Sequence, residues 1–201
     1  MQKAELFAYL AAFVSIVLAV ALTDMIQSIH RLLRARDRIQ WDPLTPLLAL
    51  SVLLGLLAAF FSLWGDARFD RLTYYGLVAF MAGPIVTALI AFAVLPDEIP
   101  DVGLDLRRFY FDNRRYLILL LALTAMMDVV WTIRWAIMMN ALHNPEFWWR
   151  FAPVATVNAI LLAIMYFSVS WRVQLASLIS LILLGHFAVG GWYIATVAAA
   201  G

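Results

Sequence analysis

Residues 6–36 read LFAYLAAFVSIVLAVALTDMIQSIHRLLRAR. From Leu6 to Leu22 the stretch carries no Asp, Glu, Lys, Arg or His; the polar residues Thr23, Asp24, Gln27, Ser28 and His30 follow, and then Arg31, Arg34 and Arg36. About 20 apolar residues at ~1.5 Å each cover the ~30 Å hydrocarbon core of a bilayer. An apolar run of this length that closes on arginines predicts a helix crossing a membrane and ending on the cytoplasmic side. The cations follow the run instead of preceding it, so it is expected to be a retained first span and not a signal peptide.

The rest of the chain repeats the pattern. Of its 201 residues, 65% are hydrophobic and 13% charged, against about 45–50% and about 25% in soluble domains. Five further stretches have spanning length: 44–64, 72–95, 116–142, 151–171 and 173–200. The expected fold is an all-α polytopic transmembrane bundle of six spans, forming a single transmembrane domain over 1–201. The fifth and sixth spans nearly touch at Ser170, Trp171 and Arg172, which predicts a tight hairpin. Trp41, Trp64, Trp148, Trp149 and Trp171 fall at span ends, where the aromatic belt anchors helices at the interface.

Cation placement predicts orientation. Arg31, Arg34, Arg36, Arg38, Arg107, Arg108, Arg114, Arg115 and Arg172 fall on one side; Lys3, Arg68, Arg71 and Arg150 fall on the other. Both termini are therefore expected outside. The longest connection, 96–113, places Val102, Leu106, Phe109 and Tyr110 on one side at helical spacing and Asp101, Asp105, Arg108 and Asp112 on the other. It predicts a short interfacial helix near 101–112 lying on the cytoplasmic surface.

Composition excludes several chemistries. The net charge of +1 gives no field for nucleic acid, and the chain has no cysteine for a thiolate, disulfide or cluster. Its one lysine, Lys3, precedes the first span, so no intramembrane Schiff base is available. No H-E-x-x-H, G-x-S-x-G or Walker motif occurs. No cofactor or metal is expected, and the chain is not expected to be an enzyme. The expected partners are the lipid bilayer and anionic head groups meeting Arg31, Arg34, Arg36, Arg38, Arg107 and Arg108. A chain of six spans often assembles into a homo-oligomer, though no residue here specifies a count.

The two halves echo one another. Asp24 and Asp128 stand 104 positions apart, as do Ser28 and Thr132, and His30 and Arg134. Pro46 and Pro153 stand 107 apart, as do Ser51 and Asn158, and Gly83 and Gly190. Three spans per half would make halves 5–95 and 109–200 an inverted repeat, an architecture found in transporters. The competing explanation is that apolar helices resemble one another.

Ionisable groups within spans are costly and mark candidate sites. Asp24 begins a stripe with Gln27, Ser28 and Arg31 at i+3, i+4 and i+7. That stripe is either a vestibule or a helix end tied to its neighbours. Asp128 shares a face with Thr124 and Thr132 and is the strongest candidate, with a structural salt bridge as the alternative. Arg134 lies on another face between Trp131 and Trp135, where snorkelling with a cation–π contact is the simpler reading. His186 is central in the sixth span, either as a proton site or as a packing residue. Asn158 and Ser51 are expected to make interhelical hydrogen bonds.

Residues 23–34, TDMIQSIHRLLR, and 103–110, GLDLRRFY, resemble a small uncharacterised family of bacterial polytopic inner-membrane proteins. The resemblance covers these two segments and implies a bacterial inner-membrane address, with no activity attached. The chain lacks the glycine-rich broken helices expected of trimeric intracellular cation channels. The expected function is a small transporter or channel moving an ion or small polar solute past Asp24 and Asp128, with Thr124, Ser28, Thr132, Arg134, Asn158 and His186 along the pathway. The alternative is a non-transporting scaffold or regulatory subunit working through the arginine loop and the interfacial helix.

Overall fold

A computed structural model describes residues 3–65, 74–138 and 140–188. The protein is all-α: the described residues hold six α-helices and one two-residue strand pair. The chain divides into two compact units, Met1–Asp112 and Asn113–Gly201.

In the first unit, α1 (Lys3–Arg34) packs against α3 (Tyr74–Ala93) and α2 (Leu44–Gly65), and α2 also packs on α3. No glycine or proline interrupts α1, and Arg31 and Arg34 sit in its last turn, where cations favour the helix dipole. Its buried stripe is Val14, Leu18, Ala21, Met25, Ser28 and Leu32, spaced alternately four and three residues apart. The opposite face exposes Tyr9, Phe13, Ile16 and Val20. An apolar outer face backing an apolar inner stripe suits a helix solvated by lipid.

The connections on either side of this bundle are clasped together. Strand β1 (Ile39–Gln40) pairs in parallel with β2 (Leu104–Asp105), and Arg38 reaches Asp101 at 3.4 Å. The buried Thr45 hydroxyl donates to the Leu106 carbonyl at 3.0 Å. Asp42 caps α2 by accepting from Leu44 N. Asp105 accepts from the backbone N–H groups of Arg107 and Arg108 at 2.8 and 3.1 Å, which caps α4 (Leu106–Met138).

This geometry corrects the expected interfacial helix near 101–112. Gly103 adopts a left-handed φ of +96° and the strand pair follows it, so no helix exists before Leu106. From Leu106 the helix runs without a break into the long apolar α4. Leu106 and Tyr110 are buried and Phe109 is half-buried, whereas Val102 is almost fully exposed. The apolar spacing therefore belongs to the first turn of a longer helix, and the fourth helix starts well before residue 116.

A Cβ on Gly103 would stand 2.7 Å from the Arg38 carbonyl oxygen, on a backbone that side chains rarely adopt. Gly103→Ala is expected to destabilise the protein by ~1–3 kcal/mol. Thermal unfolding in detergent measures this, and an unchanged Tm would mean the clasp is not as close as described.

In the second unit, α4 stops at Met138, and Asn140 turns the chain with a left-handed φ of 52°. A 3-10 turn (Ala141–His143) leads into α5 (Pro145–Phe167), with Asn144 as N-cap and Pro145 at the first helical position. The fifth helix thus begins and ends earlier than 151–171. A short turn at 168–170 leads to α6 (Trp171–Ile182), which packs antiparallel on α5 and continues as a π-helix (Leu183–Ala188). The tight hairpin is as expected; the remainder of the expected sixth span, 189–200, lies outside the described residues.

Among the described residues, three helices are long and apolar enough to cross a membrane: Ala8–Arg34, Leu106–Arg134 and Pro145–Phe167. Leu44–Phe60, Phe80–Ala93 and Trp171–Gly185 are shorter apolar stretches. The proposed halves differ in one internal respect. Pro46 sits in the first turn of α2, whereas Pro153 lies more than two turns into α5. Gly190, the counterpart assigned to Gly83, lies outside the described residues.

Candidate intramembrane polar site

The long helix α4 has 33 residues and a length of about 50 Å. Asp128 lies beyond its midpoint and is exposed, flanked by the exposed Met126 and Val130. Thr124 and Thr132, one turn to either side, are half-buried. The Thr124 hydroxyl donates its proton to the Leu120 carbonyl at 3.0 Å. Only its oxygen lone pairs then remain for a visitor. Asp128 has no hydrogen bond or ion pair among the described residues, and no basic side chain stands at i±3 or i±4. The salt bridge weighed as its alternative role is therefore not found there. What the α4 face presents is one carboxylate with the Thr124 acceptor oxygen and the Thr132 hydroxyl a turn to either side, and its charge attracts a proton or cation and repels an anion.

The α1 stripe divides. Asp24 is half-buried, and it too has no hydrogen bond or ion pair among the described residues. Ser28 is buried and accepts from Arg31 Nη2 at 2.7 Å, so these two form a local tie at the helix end. Thr23 donates to the Ala19 carbonyl, and Gln27 is exposed. Asp24 and Asp128 belong to different units.

Arg134 holds its guanidinium 5.7 Å from the Trp131 ring centroid, the cation–π contact expected for it. The backbone of His186 lies in the π-helix, and its side chain lies outside the described residues. Asn158 departs from expectation. Its Oδ1 is buried and accepts no hydrogen bond among the described residues, so the interhelical bond expected at that oxygen is not found among them.

A groove of about 690 Å³ opens beside the start of α5, lined by His143, Trp148, Trp149, Pro153 and Thr156 among others. None of the carboxylates or Asn158 lines it. The groove is mostly apolar, and Trp148 donates its indole N–H to the Leu142 carbonyl at 2.9 Å. These features suit tryptophans anchored at an interface.

The arginine surface is partly neutralised. Arg36 lies 3.8 Å from Asp37, Arg38 pairs with Asp101, and Arg108 lies 3.6 Å from Asp112, all exposed. Arg34 and Arg107 are exposed beside them. The interspersed acids weaken the field that an anionic lipid would sense.

The buried cation that matters most in the second unit was placed by its sequence among the loop arginines. Arg114 lies within α4, only 6% exposed, and donates from Nη1 to the Ser168 carbonyl at 2.7 Å. Gln174, fully buried, donates from Nε2 to the Met165 and Ser168 carbonyls at 2.6 and 2.7 Å. Together they satisfy carbonyls that the C-terminus of α5 leaves without intrahelical partners. A glutamine one turn after a tight hairpin was the available signal for Gln174; nothing local distinguished Arg114 from its neighbour Arg115.

No family model, curated protein or solved structure matches the chain.

Proposed function

We propose that this chain is a six-span bacterial inner-membrane protein that moves a proton or small cation past the carboxylates Asp128 and Asp24. The observation that carries the reading is Asp128: a carboxylate on an apolar helix, sharing its face with the Thr124 and Thr132 hydroxyls and without a paired cation among the described residues. In lipid such a group is held by a proton, a cation or water, and each of these is mobile. The proposal includes a three-plus-three inverted repeat, both termini outside, and the arginine loops in the cytoplasm. The test is purified protein in liposomes carrying a pH-sensitive dye, with outward and inward gradients of H⁺, Na⁺ and K⁺. Flux above that of empty liposomes for at least one cation is expected; rates equal to empty liposomes for all three contradict the reading.

Topology gives an independent check. The chain has no cysteine, so Asp37→Cys supplies a single thiol in the first arginine loop. It is expected to react with an impermeant maleimide only after the cells are opened. Labelling in intact cells would reverse the orientation.

A second reading has one observation in its favour. The β1–β2 clasp holds Arg36 and Arg38 on a braced surface beside the start of α4, as a scaffold or regulatory subunit would need for a partner protein. It takes the lead if the liposomes show no flux.

A further inference from the structure

The pairing of α5 with α6 can be followed residue by residue from its best-fixed point. Gln174 is bonded to the carbonyl of Met165 across the hairpin. Both helices advance at the same rise. Two turns back along α5 from Met165 and two turns on along α6 from Gln174 bring Asn158 level with Leu181, in the last turn of α6 before the π-helix begins at Leu183. Asn158 falls on the same helical face as the buried Leu162 and Met165. Helix α5 packs on α6 and also contacts the π-helix itself.

Two features therefore meet inside one helix pair. One is a carboxamide oxygen that is buried and accepts no hydrogen bond among the described residues. Leaving a buried acceptor unmet is costly, and proteins rarely do so without an occupant or a use. The other is a six-residue π-helix. Such segments are uncommon and are often found at functional sites, because the extra residue per turn re-aims the side chains that follow. Ser177, about one turn earlier on α6, is also buried.

We infer that Asn158 and the α6–π-helix junction form a second intramembrane site, which binds a partly dehydrated monovalent cation through neutral oxygens. Neutral carbonyl-type oxygens replace part of a monovalent cation's hydration shell in membrane proteins, and discontinuities in helices are where such oxygens gather. An anion is disfavoured because the exposed chemistry is an acceptor. The inference rests on the membrane reading above and not on Asp128, so the two can fail separately.

Ligand-dependent stability tests it, since a cation that binds only the folded state raises Tm with its concentration. Purified wild-type protein in detergent is heated in LiCl, NaCl, KCl or choline chloride at matched ionic strength. One small cation is expected to raise Tm by several degrees over choline. Asn158→Leu removes the orphan acceptor; in choline its Tm is expected to equal or exceed wild type, and the cation-dependent rise is expected to vanish. Asn158→Asp keeps an oxygen in place and is expected to retain the rise, as is Asp128→Asn. If Asn158→Leu does not fold, Asn158→Ala replaces it. Absence of any cation effect in the wild type overturns the inference, even where Asn158→Leu gains stability, because the occupant is then water only. Retention of the rise in the Leu or Ala variant, or its loss in Asp128→Asn alone, overturns it as well.

Discussion

Asp128→Asn is expected to lower cation or proton flux at least ~10-fold, a loss of about 1.4 kcal/mol or more in the rate-limiting barrier, while Tm stays level or rises. Asparagine keeps the shape and the acceptor oxygen and removes the charge. No hydrogen bond or ion pair is lost, because Asp128 makes none among the described residues. Removing an ionised side chain from an apolar helix relieves a burden of ~2.5–3.5 kcal/mol on insertion scales. Stability and activity thus move in opposite directions, the signature of a group kept for use. Asp128→Glu restores the carboxylate and is expected to recover part of the flux. Equal flux in wild type and Asp128→Asn would remove Asp128 from the pathway. A falling Tm with no change in flux would make it structural.

The largest loss of stability is expected at Arg114. Its side chain is buried and its Nη1 meets the Ser168 carbonyl at the end of α5. A hydrogen bond from a charged donor contributes ~1.5–3 kcal/mol, and a partly buried cation at a helix C-terminus up to ~2 kcal/mol. Arg114→Met is therefore expected to cost ~2–4 kcal/mol. Gln174→Leu, which strips two bonds from the same helix end, is expected to fall in the same range. Arg172→Met serves as the control, because Arg172 is exposed and its loss is expected to cost under ~0.5 kcal/mol. Thermal unfolding of the purified variants decides the point. If Arg114→Met behaves like Arg172→Met, the buried pin on α5 is not formed.

The helices were legible because lipid demands long apolar runs, and such runs survive local irregularity. Pro84 inside α3 and Pro153 inside α5 did not hide them. Their starts were less legible. Asp105 caps α4 at Leu106, ten residues before the expected start, and the apolar set around Leu106 has the spacing of a separate surface helix. Hydropathy averages over a window; a cap is set by one side chain and a left-handed glycine.

The polar site was legible only as a set of expensive residues. Asp128, Asp24 and Asn158 stood out by being polar inside apolar runs. Whether each was partnered depended on neighbours that no spacing rule supplies. Ser28 found Arg31 one turn away, within reach of a helical pattern. Arg114 found Ser168, 54 residues on, through the placement of a hairpin. The arginine surface shows the same limit from the other side: counting cations predicted a basic surface, and the fold sets Asp37, Asp101 and, within α4, Asp112 against it.

The central claim is that Asp128 exchanges with water while lying on a membrane-spanning helix. Asp128→Cys in this cysteine-free chain reads that contact directly. Sealed proteoliposomes are treated with a charged, water-soluble thiosulfonate from each side, with Val130→Cys on the same helix as the lipid-facing reference. Position 128 is expected to react from one side only, at a rate well above that of position 130. No reaction at 128 from either side, or reaction no faster than at 130, would contradict the account.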